Sequence, residues 1–149
     1  MKGSLEYLRN AAHTASSEQL QLMLIDGAVR FSLRGRDAIA AQDVEGAFNA
    51  LDRAQRIVLQ MSAGLCRDVN PAIVDPMIAV LQFVYRRLID ANVRRDLQAV
   101  DDALRILRDH REAWLALMEK VASVAAAAPA GGPPQPRPAS DRPPLRLDG

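Results

Sequence analysis

Aromatic residues make up only 4% of the 149 residues, a shortage that argues against a sheet protein, whose pleated faces draw on aromatic and β-branched side chains. Cysteine occurs once, as Cys66, which excludes an intramolecular disulfide and suits a reducing compartment. Long apolar runs are also missing. The start, Met1-Lys2-Gly3-Ser4-Leu5-Glu6-Tyr7, lacks the apolar centre of a secretory signal, and no later stretch is long enough to span a bilayer, so a soluble cytoplasmic chain without membrane insertion is expected. Finally, there is no excess of one charge: 19 basic and 18 acidic residues interleave to a net charge of +1. Such a chain has no strong field with which to collect nucleic acid or anionic lipid.

What is present is helical periodicity. The length fits one domain with a true core, and the apolar 49% is rich in Ala and Leu, the balance of a helical bundle. Ser16 and Gln19 have the spacing of a capping box, so a helix begins near Ser17. Leu20, Met23, Leu24, Gly27, Phe31, Gly35 and Ala38 then line one face, and the glycines permit close approach of a neighbour. Asp43 is a suitable N-cap for a second helix, whose stripe of Ala47, Leu51, Ala54, Val58, Met61 and Leu65 keeps near-perfect heptad spacing. Asp68-Val69-Asn70-Pro71 reads as a connection. Either Asn70 caps a helix that begins at Pro71 and bends at Pro76, or a short turn precedes a main helix starting at Pro76. Met77, Leu81, Val84, Leu88 and Ala91 form the inward line of helix three, which ends in a brief turn before Asp96 caps helix four. That last helix carries Leu97, Val100, Leu104, Leu107, Trp114, Met118 and Val121, with Arg111 interrupting the stripe.

Four helices with mostly short connections predict an all-α fold, an antiparallel up-down-up-down four-helix bundle with a short N-terminal cap segment. The expected organisation is a cap over residues 1–15, the bundle over 16–125 and a Pro-rich tail over 126–149. The tail holds seven of the nine prolines and reads as disordered or polyproline-like.

Residues for chemistry are sparse. Metal-binding bundles use Glu-x-x-His pairs on facing helices, and the only histidines, His13 and His110, belong to no such pair. No phosphate-binding glycine loop or nucleophile elbow occurs, and Cys66 reads as a small apolar residue. No enzyme activity, cofactor or metal is therefore expected. The alternative is a phosphotransfer bundle using His110, which needs that histidine exposed at mid-helix. Its position beside Ile106 and Trp114 favours a packing role.

Each of helices one to three carries more apolar positions than one stripe can use. Second lines run through Leu22, Ile25, Val29 and Leu33 on helix one, through Phe48, Ile57 and Leu59 on helix two, and through Val74, Ile78, Tyr85 and Ile89 on helix three. Together they predict a groove that takes up an amphipathic partner helix, or a face on which the bundle dimerises. Leu5, Tyr7 and Leu8 are placed to cover such a groove when it is empty.

The order of several segments resembles the FliS-type flagellin export chaperones: Thr14-Ala15-Ser16, Leu20 to Phe31 with its Asp26-Gly27 pair, Arg53-Ala54-Gln55, Tyr85 to Asn92, then Arg111 and Trp114. The resemblance runs from about Tyr7 to Val121. It implies a cytosolic chaperone that binds the C-terminal segment of flagellin, prevents premature polymerisation and, with flagellin bound, meets a component of the flagellar type III export gate. It also implies an extended client that wraps around the bundle, and a Tyr-x-x-Asn cap, matched by Tyr7 and Asn10, that the client displaces. On this reading Leu22, Ile25, Val29, Ile57, Val74, Ile78 and Ile89 bind the client. Tyr85, Arg86 and Asn92 either anchor it or pair within the bundle, and without client the chain can form a homodimer. The sequence departs from the family pattern at Ile25, where a tyrosine is usual, at Ser62, where an asparagine is usual, and at Asn70-Pro71 in place of a Gly-Gly turn.

Overall fold

A computed structural model describes residues 16–65 and 70–127. The expected cap segment with Tyr7 and Asn10, His13, Cys66, and the tail beyond Ala127 lie outside the described residues.

Among the described residues four helices follow one another: α1 (Ser17–Ala40), α2 (Val44–Leu65), α3 (Pro71–Arg94) and α4 (Leu97–Ala127). Each begins at a residue that satisfies backbone donors left unpaired in a first turn. The Gln19 N–H donates to Ser16 Oγ at 3.2 Å while the Ser16 N–H donates to Gln19 Oε1 at 3.3 Å, the reciprocal capping box. The Gly46 N–H donates to Asp43 Oδ1 at 3.0 Å. Asp96 Oδ1 accepts from the Gln98 and Ala99 N–H groups at 2.9 and 3.4 Å.

At α3 the structure chooses between the two starts. Asn70 Oδ1 accepts from the Ala72 N–H at 3.1 Å and the helix runs from Pro71 straight through Pro76. Pro76 removes a donor, but the carbonyl it leaves belongs to Ala72 at the exposed beginning of the helix, where water can satisfy it. The helix ends at Arg94, and Arg95 takes a left-handed conformation, φ 55°, that turns the chain into α4.

The helices form a closed ring in which α1 packs on α2, α2 on α3, α3 on α4 and α4 on α1. Their directions follow from cross-links between opposite ends. Gln21, early in α1, donates its Nε2 to the carbonyl of Met61, late in α2, at 3.0 Å. Arg95, just after α3, donates to the carbonyl of Val44 at the start of α2 at 3.0 Å. Arg87, late in α3, pairs with Asp102, early in α4, at 2.7 Å. Arg111 and Asp26 pair at 2.7 Å while Arg36 and Asp101 pair at 2.6 Å, matching the late part of each helix with the early part of the other. Neighbours are antiparallel throughout.

The heptad line of α2 is buried at every position from Ala47 to Leu65, joined by Ala50. Leu81, Val84, Leu88 and Ala91 of α3 are fully buried, and so are Val100 and Leu107 of α4. Two corrections concern the ends of α4 and the centre of α1. Leu97 and Val121, expected inside, are 38% and 54% exposed, and His110 occupies the inward position next to Arg111. In α1 the innermost line is Gln21, Ile25, Ala28, Ser32 and Gly35, whereas Leu20, Leu24 and Phe31 flank it. Small residues at the centre allow α1 and α2 to close on each other. A Cβ at Gly35 would lie 2.6 Å from Leu51 Cδ2.

Candidate partner-binding surface

Successive helical residues are rotated by about 100°, so a cross-link on one flank of a helix fixes what its other flank faces. Asp26 and Arg36 reach α4. Leu22, Val29 and Leu33 share their flank of α1 and so border the α1/α4 seam, where Leu33 lies with Arg36, Asp101, Leu104 and Arg108 around a recess of about 630 Å³. The opposite flank, with Leu20, Leu24, Gly27 and Phe31, meets Ile57 of α2 around a groove of about 400 Å³.

On α3, Arg87 reaches α4, and Pro76, Met77 and Val80 line a recess with Ile106 and His110 on that same side. Ile78, Tyr85 and Ile89 lie on the other flank and border α2, the only other helix that α3 packs on extensively. All three are half-buried. The side of α2 turned away from Ile57 carries Phe48 and Leu59, 54% and 51% exposed, so apolar side chains of both helices flank the α2/α3 face.

The second stripes therefore do not meet in one groove. Leu22 and Val29 lie on one seam, Ile57 on a second, and Ile78, Tyr85 and Ile89 on a third. Ile25 and Val74 lie inside the core, with 0% and 6% exposure; Ile25 presents no surface in this form, and Val74 shows only where it walls a cavity with Leu65, Trp114 and Met118. Arg86 is exposed and Asn92 half-buried. Asn92 Oδ1 is buried without a hydrogen-bond partner among the described residues, an arrangement that is costly unless something supplies a donor. Sequence periodicity missed the exposed Ile73, Val80 and Phe83 of α3. Their spacing of seven and three places them on one side of the helix, and this was the signal available.

Three ion pairs stitch α4 to its neighbours. Arg87, aided by Gln98, holds the Asp102 carboxyl below the ordinary carboxylate range, and the hydrogen bond to Asp101 raises the Arg36 guanidinium. The third is Arg111 with Asp26. Arg111 thus leaves the apolar stripe to face α1, and Trp114 fixes the same seam by donating its Nε1–H to the Glu18 carbonyl at 3.0 Å.

His110 is 5% exposed and its Nε2 is buried without a partner among the described residues. Burial pushes its imidazole pKa down. A phosphotransfer histidine must present a nitrogen to its donor, so the phosphotransfer alternative fails on geometry. Among the described residues no three of His, Cys, Asp and Glu gather as a metal site, and no helix is long and apolar enough to cross a membrane.

A ring of amphipathic helices with apolar side chains exposed on several seams defines a helical-bundle binding protein, the class to which chaperones of unfolded segments belong. Comparison with known proteins makes this specific. Residues 2–121 match the model of the family described as flagellar protein FliS. The chain is similar to the flagellar secretion chaperone FliS of Bacillus subtilis, 31% identical over 72% of this chain and 80% of that protein. It is also similar to the protein of that name from Salmonella typhimurium, 32% identical over 76% and 84%, and to the one from Escherichia coli, 27% identical over 76% and 87%. The chain belongs to the FliS family, a family of non-enzymatic flagellar chaperones.

Proposed function

We propose that this chain is a cytoplasmic flagellar export chaperone that holds the C-terminal segment of flagellin, keeps it from polymerising early and hands it to the flagellar type III export gate. The observation that carries the reading is the distribution of apolar surface. Phe48, Leu59, Ile78, Tyr85 and Ile89 mark one face, Ile57 a second and Leu22 with Val29 a third. A single docked helix covers one seam. An extended segment that folds piecewise around the bundle covers several, and it draws its affinity from buried apolar area less the cost of ordering the segment. Such a client detaches stepwise as it threads into an exporter, without ATP.

Tyr85 and Arg86 offer polar anchors on the α3 face, and the half-buried Asn92 joins them once its side chain turns outward on binding. The cap completes the proposal. Residues 1–15 lead into Ser16 beside a largely apolar cavity of about 220 Å³ walled by Glu18, Leu65, Val74, Trp114 and Met118. On this reading Tyr7 and Asn10 belong to a segment that shields apolar surface until a client displaces it, and a homodimer is the other way to shield it.

The test is binding of the purified chain to its cognate flagellin and to flagellin lacking the C-terminal segment, followed by calorimetry. Binding to the first alone is expected. Equal binding to both, or to neither, would refute the client assignment.

A further inference from the structure

The α1/α2 groove has a second chemistry. Its floor is apolar, built from Leu20, Met23, Leu24 and Ile57, and Gly27 keeps it deep because no side chain fills the space before Ile57. One end is strongly basic. The guanidinium carbons of Arg30, Arg34 and Arg53 lie 5.4, 5.3 and 5.1 Å from the centroid of the Phe31 ring, three cations gathered on one aromatic.

Elsewhere in the bundle some arginines are matched, and Arg86, Arg94, Arg95 and Arg108, which meet no carboxylate among the described residues, do not gather on an aromatic ring. Arg36, Arg87 and Arg111 each meet a carboxylate of a different helix or turn, and Arg56, at the edge of the same groove, is paired with Asp52. Arg30, Arg34 and Arg53 have no carboxylate within ion-pair distance among the described residues. With a net charge of only +1 over the chain, what sets these three apart is that they gather on one ring. Like charges held this close repel, and the ring face offsets only part of that repulsion.

We infer that the α1/α2 groove is a docking site for an acidic amphipathic helix of a partner protein, whose apolar side chains enter the floor and whose carboxylates sit among Arg30, Arg34 and Arg53. Apolar floor and basic end together match this occupant. A nucleic acid calls for cations that track a phosphate backbone, and a lipid surface calls for a projecting apolar face rather than a recess. Carboxylates bound to guanidinium groups form charge-assisted, geometrically specific hydrogen bonds. Flagellin need not be the client for this site to exist, and a designed peptide tests it independently.

The full chain is titrated with a fluorescein-labelled helical peptide that carries leucines at i, i+3, i+4 and i+7 and glutamates beside one end of that stripe. Two controls replace every glutamate with lysine or every leucine with alanine. The parent peptide is expected to bind about tenfold or more tightly than either control, equivalent to about 1.4 kcal/mol, and to weaken as salt is added. The exposed triple variant Arg30→Gln, Arg34→Gln, Arg53→Gln should abolish the preference for glutamate over lysine, whereas Arg94→Gln should preserve it. Circular dichroism confirms the fold of both variants. Amide shifts in NMR spectra should fall on residues 20–34 and 53–60. Equal binding of the glutamate and lysine peptides overturns the inference, as do a triple variant that keeps the preference, shifts confined to α3, and a single-stranded RNA that competes better than the peptide.

Discussion

The contact between α1 and α2 yields a sharp prediction, because two glycines of one helix should respond to the same substitution in opposite ways. At an interior helix position, Gly→Ala stabilises by about 1 kcal/mol through backbone entropy. At Gly27 the new methyl would sit 3.4 Å from Ile57 Cδ1, ordinary contact, so Gly27→Ala should realise most of that gain. At Gly35 it would sit 2.6 Å from Leu51 Cδ2 and 2.7 Å from Leu51 Cγ. Leu51 is fully buried and cannot swing away, and Cγ is not a flexible tip. Overpacking of this kind costs about 1 to 3 kcal/mol, so Gly35→Ala should be neutral to destabilising by about 2 kcal/mol once the entropy gain of about 1 kcal/mol is subtracted. Urea unfolding followed by far-ultraviolet circular dichroism measures both variants. The cause is isolated by repeating Gly35→Ala in a Leu51→Ala background. That background alone costs about 3 to 5 kcal/mol through the cavity it opens, but in it the methyl added at position 35 should become favourable. If Gly35→Ala stabilises as much as Gly27→Ala, or behaves alike in both backgrounds, the close approach is not what the glycine serves.

Three further outcomes are expected. His110 is held neutral by burial, so its folded pKa lies below the unfolded value of about 6.5. Its contribution is intact above that pH and is lost as pH falls from there toward the lowered value; urea midpoints measured in mildly alkaline and in mildly acidic buffer should differ more for the parent than for His110→Leu, and equal differences would remove His110 as the cause. Ile89 is half-buried and does not pack on the core, whereas Ile78 does. Ile89→Asp should therefore weaken flagellin binding by about tenfold, or 1.4 kcal/mol, at unchanged thermal stability, while Ile78→Asp should lower both; calorimetry with and without client distinguishes them. Pro76 interrupts the hydrogen bonds of α3 near its start and is exposed, so Pro76→Ala should stabilise the bundle by about 1 to 3 kcal/mol, visible as a higher urea midpoint.

Much of the fold was legible in the sequence because its signals were local. Ser16 with Gln19, Asp43 and Asp96 each announce a helix start through side chains that can reach backbone donors two or three residues on, and the α2 heptad buries as written. The start of α3 was ambiguous because Asn70-Pro71 and Pro76 each obey the rules for a first turn, and only the continuous helix decides between them. The centre of α1 was misjudged for a different reason. Its inward line runs through Gln21 and Ser32 as well as the expected Gly35, and a reading by apolarity cannot see a polar side chain that finds a buried partner, as Gln21 finds the Met61 carbonyl. The candidate surface suffered most. Apolar stripes assign residues to flanks of a helix but not to the neighbour that each flank faces. Leu22, Ile57 and Ile78 could be placed on three seams only when the ion pairs of Asp26, Arg36 and Arg87 fixed the ring.

The order of that ring bears on how the chain reaches its native state. Three of its four interfaces join helices adjacent in sequence; only α1 with α4 unites the two ends. Loop closure is therefore brief for most of the structure, and helical topologies of such short range fold in about microseconds to milliseconds. The α1/α4 interface carries the longest closure, and its Asp26–Arg111, Arg36–Asp101 and Trp114–Glu18 links are expected to form after the rate-limiting barrier. Substitutions at Asp26 and Trp114 should accelerate unfolding and leave the folding rate nearly unchanged, whereas a slowed folding rate would place that closure in the nucleus. A newly made chain would then acquire its α2/α3 face before its ring is sealed.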